Sequence, residues 1–193
     1  DWSWSRGLGD VYKRQSEQNA EKIDFVVLRE CTEGLFYTAA VHNRNKIANN
    51  DEVEDIMRIT RNTTTRLHNF AFKLAEKRKQ KGKLGKVTCV DKANVFKSQA
   101  LFRKIFNEIK DDFPNIEADT CYVDAMALNL IRQPWEYDVM VMENIFGDIL
   151  SDLGGGLVGG MGMASCGEIG DNHGLFQPCL LYTSPSPRDQ LQS

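Results

Sequence analysis

The sequence predicts an α/β fold in which helices alternate with the strands of a largely parallel sheet. Three observations carry this reading. Short apolar runs rich in β-branched residues recur at 23–30, 85–91, 118–124 and 138–142. Between them lie segments whose apolar residues repeat at helical spacing. Strands separated by helices of this length pair in parallel, because a parallel neighbour needs a long crossover. Finally, each run ends in charged or polar residues, and in open α/β sheets ligands bind beyond the carboxyl ends of the strands.

The first run, IDFVVLRE (23–30), reads as a buried strand. Residues 36–50 are mixed and polar and suit an extended arm or hairpin. From Asp51 to about Arg78, Val53, Ile56, Met57, Leu67, Phe70, Ala71 and Leu74 recur at helical spacing. Asn62 to Thr65 form a weak middle that reads as a break between two helices. Lys77 to Lys86 is a basic turn with Gly82 and Gly85, a solvated loop. GKVTCVD (85–91) is the second strand, and Val95 to Ile109 an amphipathic helix stopped near Pro114. ADTCYVD (118–124) is the third strand, followed by a helix from about Ala125 that ends before Pro134. DVMVM (138–142) is the fourth strand, and Asn144 to Leu153 the last helix. The glycine-rich run 154–162 follows a helix, whereas a dinucleotide phosphate loop follows a strand and opens a helix. It therefore reads as close backbone packing or a flexible connection.

Composition bounds the function classes. With 193 residues, 41% hydrophobic and 26% charged, the chain has the make-up of a soluble globular protein. A net charge of −3 gives no reason to expect nucleic acid or an anionic membrane as partner. No apolar run approaches the roughly 18 residues of a membrane helix, and the start lacks the apolar core of a signal peptide. A cytoplasmic enzyme, or one of an organelle matrix, is the expectation. The five cysteines form no CxxC pair, and Cys89 and Cys121 read as buried free thiols. His42, His68 and His173 show no ligand spacing and read as structural. Asn62-Thr63-Thr64 fits a glycosylation acceptor, but nothing else suggests secretion.

The two ends have an unusual relation at the DNA level. The word TGT CTC TTA TAC ACA TCT encodes Cys179 to Ser184. Its reverse complement, shifted by one base, encodes Asp10 to Gln15, and the match extends outward to Pro185–Asp189 and Ser5–Gly9. Residues 1–15 and 179–193 are therefore read as a sequencing adaptor translated in both orientations, and set aside from fold reasoning.

The residues that follow the strands suggest chemistry. Arg29 and Glu30 follow the first, Asp91 and Lys92 the second, Asp124 the third, and Glu143 and Asn144 the fourth. Asp148 and Asp152 are one helical turn apart on one face. With Asp124 they would offer three hard oxygen ligands, which suits Mg²⁺ or Mn²⁺ rather than zinc. Against this stands a plain solvated acidic face. A lysine beside a metal and partly desolvated can transfer a proton near neutral pH, which singles out Lys92. Arg29 offers a planar fork for a substrate carboxylate, or simply an ion pair within the protein.

These strings resemble one family. R29-E-C-T-E-G-L-F resembles the arginine segment of the β-decarboxylating dehydrogenases, the isocitrate/isopropylmalate dehydrogenase family. V90-D-K-A-N-V resembles its lysine motif, Y122-V-D-A-M-A-L its first metal aspartate, and E143-N-I-F-G-D-I-L-S-D-L the signature with the other two. G170-D-N-H-G-L-F-Q-P looks like the lead-in to the cofactor loop. The resemblance covers residues 20–178 and implies an isopropylmalate dehydrogenase-like fold. It implies oxidation of a malate-type 2-hydroxy acid by NAD or NADP with Mg²⁺ or Mn²⁺, usually with loss of CO₂. It assigns Lys92 to proton transfer, Arg29 to a substrate carboxylate, Asn94 to the nicotinamide, and Asp124, Asp148 and Asp152 to the metal. It implies a homodimer with shared sites, Lys92 and Asp124 coming from one subunit and Asp148 and Asp152 from the other. Residues 36–60 would supply part of an interlocking arm.

The resemblance also divides the chain. Residues 16–158 would be a nearly complete central domain carrying substrate, metal and dimer contacts, and 159–178 a stub of a nucleotide domain that is mostly missing. Such a piece alone is expected to be inactive. One departure stands out. Where the family often has a tyrosine seven residues after the motif arginine, this chain has Phe36, with Tyr37 beside it. Phenylalanine cannot donate the proton assigned to that tyrosine, so Tyr37, water or another group does so, or the reaction stops at oxidation. Alternation along a strand would point Tyr37 to the opposite face. Two other readings stay open. One is a non-catalytic dimerisation and metal-binding module; the other is a phosphoryl-transfer enzyme, which lacks a phosphate loop in its support.

Overall fold

The computed structural model describes residues 22–37, 47–48, 51–159, 164–170 and 173–178. Both proposed adaptor segments lie outside these residues, as do His42 and the rest of 38–46 and 49–50 in the expected arm. In chain order the elements are β1 (Val26–Arg29), β2 (Ile47–Ala48), β3 (Val53–Glu54), α1 (Arg61–Gln80), β4 (Lys86–Asp91) and α2 (Lys97–Ile109). Then come β5 (Glu117–Tyr122), α3 (Val123–Arg132), β6 (Val139–Met142), α4 (Asn144–Leu157), β7 (Ser165–Ile169) and β8 (Gly174–Pro178). The chain divides into two compact units, Glu21–Ser151 and the remainder, with the division falling inside α4.

The larger unit is built on a four-stranded sheet of order β1-β6-β4-β5, every pair parallel. All four carboxyl ends therefore lie along one edge, as the charged strand ends predict. Successive side chains of a strand point to opposite faces, and on the two central strands, β4 and β6, both faces are covered, whereas β1, read as a buried strand, is only half-buried. Val87, Cys89, Val139 and Val141 meet Phe72 of α1 and Phe102, Ile105 and Phe106 of α2 in one buried cluster. Val90, Met140 and Met142 are also fully buried, as are Met126 and Leu130 of α3 and Leu150 of α4. Burial of both faces explains why β6 is apolar throughout rather than alternating. Each such side chain contributes about 1.5–3 kcal/mol relative to exposure.

The helix α2 follows its prediction closely. Phe102, Ile105, Phe106 and Ile109 form its buried stripe, and a single 3-10 turn, Lys110–Asp112, ends it before Pro114. The reading of residues 51–78 needs correction. No helix covers 51–60. β3 pairs antiparallel with β2, and Arg58 exchanges backbone hydrogen bonds with Gly34. Asn62 to Thr65 are not a break but the first turn of α1. The cause is a distant acid: Glu33 accepts from the Thr60 backbone N–H at 2.8 Å and from its hydroxyl at 2.6 Å, fixing an extended residue just before the helix.

Three smaller corrections follow. The helix α3 starts at Val123, so Asp124 sits in its first turn rather than at a strand end. Gly154 to Gly156 continue α4 instead of leaving it. Cys89 is buried as expected, but Cys121 is only half-buried, because β5 is the edge strand. In the smaller unit, β7 and β8 form an antiparallel hairpin closed by the Gly170 N–H donating to the His173 carbonyl at 2.9 Å. Among the described residues no helix is long and apolar enough to cross a membrane.

Candidate active site

The carboxyl edge of the sheet carries two clusters. The first lies where β1 meets β6. Arg29, the last residue of β1, donates from Nε to Asn144 Oδ1 at 2.9 Å and pairs through its terminal nitrogen with the Asp148 carboxylate. Asn144 in turn donates to the Glu33 carbonyl at 3.1 Å. The guanidinium also lies 5.6 Å from the centre of the Phe36 ring. Gly147 makes room for the arginine stem: a Cβ there would stand 2.6 Å from both Cβ and Cγ of Arg29.

Below this cluster sit three buried carboxylates, Glu30, Glu33 and Glu143. Glu30 accepts from the Thr32 hydroxyl and from the backbone N–H groups of Thr32 and Glu33. Glu143 accepts from the Ile145 and Phe146 backbone N–H groups, each at 3.2 Å, and so caps α4. Burial pushes the Glu143 carboxyl above its ordinary range, with the charge of Glu30 adding to the effect and the helix N–H groups opposing it.

The second cluster lies where β4 meets β5. Lys92 Nζ is 2.5 Å from Asp124 Oδ1. That hydrogen bond is the main cause holding the Asp124 carboxyl below its ordinary range. Asp124 also stands in the first turn of α3, where a negative charge is favoured by the helix dipole. Asp91, fully buried, takes two parallel hydrogen bonds from Arg103, at 2.7 and 2.8 Å, and one from the Ala93 backbone N–H at 2.8 Å. Burial and the neighbouring Asp91 push the Cys89 thiol far up, so it is no nucleophile.

The structure thus brings Lys92 to Asp124 and Arg29 to Asp148. It does not gather the three aspartates: among the described residues no group of three or more His, Cys, Asp or Glu side chains could hold a metal ion. Asp152 is exposed one turn beyond Asp148 on α4. Asn94 is exposed in the turn after Lys92. Phe36 and Tyr37 lie in a helical turn, so strand alternation does not govern them. Tyr37 instead stacks with the Arg58 guanidinium, 4.5 Å from the ring centre. Sequence reasoning missed Arg103 altogether, and gave no role to Asn144 or Gly147. The Asp91–Arg103 pair crosses from strand to helix, so no fixed spacing announces it.

Comparison with known proteins adds the decisive observation: residues 9–180 match the model of the isocitrate/isopropylmalate dehydrogenase family. The chain belongs to that family. It is 45% identical over 157 residues to a 3-isopropylmalate/3-methylmalate dehydrogenase of Methanocaldococcus jannaschii, covering 81% of this chain and 46% of that protein. It is 44% identical over 176 residues to a homoisocitrate dehydrogenase of the same organism, covering 89% and 48%. The crystal structure of isocitrate dehydrogenase from Methylococcus capsulatus superposes with a TM-score of 0.71 at 39% identity, over 81% of this chain and 45% of that one. The chain thus spans about half the length of the relatives it matches. Its relatives are dehydrogenases.

Proposed function

We propose that the protein carrying this chain oxidises a malate-type 2-hydroxy acid, with a divalent metal and NAD or NADP, and then releases CO₂ from the β-keto acid formed. The observation that carries this is the pairing of Lys92 with Asp124 at the carboxyl edge of a parallel sheet. An amine and a hard carboxylate side by side suit removal of a proton from a metal-held hydroxyl.

Each residue has a separable task. Lys92, in its neutral amine form, accepts the hydroxyl proton, directly or through water, and becomes the ammonium. Arg29 presents its planar fork to a substrate carboxylate, releasing Asp148 as it does so. Asn94, exposed beside Lys92, is the contact this chain offers the nicotinamide. Asp124, Asp148 and Asp152 would hold Mg²⁺ or Mn²⁺, whose preference for carboxylate oxygen fits this donor set. When bound, the metal polarises the hydroxyl and the adjacent carboxylate as a Lewis acid. Because Asp124 and Asp148 belong to separate clusters, each with its own cation, two chains would complete the ligand set. The working form is then a homodimer with shared sites.

The test is turnover of the complete polypeptide that carries this segment, with malate, isopropylmalate, isocitrate and homoisocitrate as substrates and Mn²⁺ and NAD⁺ or NADP⁺ supplied. Lys92→Ala is expected to abolish turnover while leaving the protein folded. Wild-type rates in that variant would sink the reading.

A further inference from the structure

The sequence singles out Lys92, but the structure shows what surrounds it on every side. Its backbone is pinned twice. Asp91 Oδ1 reaches over Lys92 to the Ala93 backbone N–H at 2.8 Å. The Lys92 carbonyl accepts from the Val95 and Phe96 backbone N–H groups at 3.0 and 3.1 Å. Asp91 is itself held by the bidentate fork of Arg103, reaching in from α2. A fork-to-fork pair fixes both distance and plane, which a single bond does not.

The side chain is bracketed as well. Tyr122 closes β5 and stands opposite Asp91 in the strand register. Its ring lies under two cations: the Arg103 guanidinium, 4.8 Å from the ring centre, and the Lys92 ammonium at 5.6 Å. Both lie within the range over which a ring face attracts a cation. Arg103 therefore touches both supports of Lys92, the buried carboxylate that shapes its turn and the ring that flanks its amine. It reaches Lys92 only through these two supports, and its own charge is already paired with Asp91.

We propose that Arg103, acting through Asp91 and Tyr122, is a positioning residue for the Lys92 amine. The frame fixes where the ammonium stands relative to Asp124, so that its proton-transfer geometry is set before substrate arrives. The inference rests on the reading of Lys92 as the proton-transfer group, but its structural half does not.

Two measurements separate them. The first is the rate at which an amine-specific acylating reagent modifies Lys92, read by peptide mass spectrometry at fixed pH on the 193-residue chain. The second is the division between kcat and KM in the complete polypeptide. In Arg103→Met, Lys92 is expected to be modified several-fold faster relative to the exposed lysines, with kcat lower on the order of 100-fold, the scale of a displaced catalytic group. KM should stay near wild type, because Arg29 is untouched. Arg103→Lys should recover part of each loss and not all, since an ammonium cannot make the fork. Tyr122→Leu, at an exposed position, gives a second route if Arg103→Met fails to fold: it removes the ring and should also speed Lys92 modification. Unchanged Lys92 reactivity and unchanged kcat in a folded Arg103→Met or Tyr122→Leu variant overturn the proposal. Faster modification together with an active Lys92→Ala enzyme would instead keep the frame and remove the catalytic role.

Discussion

Gly147 and Arg29 are so close that a Cβ on the glycine would stand 2.6 Å from the arginine's Cβ and Cγ. The side chain that reaches Asn144 and Asp148 is seated on the bare backbone of α4 one turn into the helix. Gly147→Ala should therefore push Arg29 out of its place. Overpacking of this kind typically costs about 1–3 kcal/mol, to be read from the urea midpoint. In the complete polypeptide KM for the hydroxy acid should rise more than kcat falls. A wild-type KM would show that the seat is not needed.

His68 makes acid stability a second test. It is fully buried between Phe102 and Phe106, with Nε2 facing the Phe102 carbonyl and Nδ1 lacking a partner. Burial lowers its pKa from the ordinary 6.5 to about 4. The unfolded chain therefore binds a proton below pH 6.5 that the folded chain refuses. Stability from this group is present above pH 6.5 and is lost as pH falls toward 4. By pH 5 the loss should be about 2 kcal/mol. Glu143, whose pKa is raised, works in the opposite sense, so the informative quantity is a difference between two proteins. The stability change from pH 7 to pH 5 should be smaller in His68→Leu than in wild type, and equal changes would refute the assignment.

Asp138 offers a third. It is buried at the start of β6, pairs with the Arg78 Nε, and accepts from the Gly85 N–H at 2.7 Å and the Lys86 N–H at 3.3 Å. It thus joins the end of the α1–β4 loop to the sheet. Asp138→Ala leaves the arginine and both N–H groups without that acceptor. The expected cost is about 3–5 kcal/mol, measured by denaturant unfolding. A loss below about 1 kcal/mol, the level of an exposed pair, would mean that water replaces the carboxylate.

Phe36 addresses the reaction itself. Its ring is partly exposed and lies beside the Arg29 guanidinium. Phe36→Tyr places a phenolic proton there. In the complete polypeptide run in D₂O, deuterium uptake at the carbon that lost CO₂ should become more stereospecific, read by NMR of the product. Uptake already fully stereospecific in the wild type would show that another group protonates the enol.

Much of this was legible in the sequence because it depends on local pattern. The four sheet strands, α2 and the placement of Lys92 at a strand end follow from periodicity and from β-branched runs. The misreadings share a physical cause, control of a local segment by a distant partner. Apolar spacing from Val53 to Met57 suggests a helix, yet Glu33 sets the start of α1 through Thr60. Glycines 154 to 156 suggest a break, yet they extend α4. The candidate site divides in the same way. Motif residues were recognisable, but the pairing of Arg29 with Asp148, the fork of Arg103 and the seat at Gly147 join segments that no short window contains.

The strand order β1-β6-β4-β5 also fixes a sequence of events during synthesis on the ribosome. Lys92 and Asp124 are 32 residues apart and belong to one continuous strand–helix–strand unit. Arg29 and Asp148 are 119 apart, and among the described strands β1 pairs only with β6. Within this segment the end of β1 that carries Arg29 therefore meets Asp148 only after β6 and the start of α4 have emerged. One half of the site can form on the nascent chain, while the other must wait for nearly the whole unit.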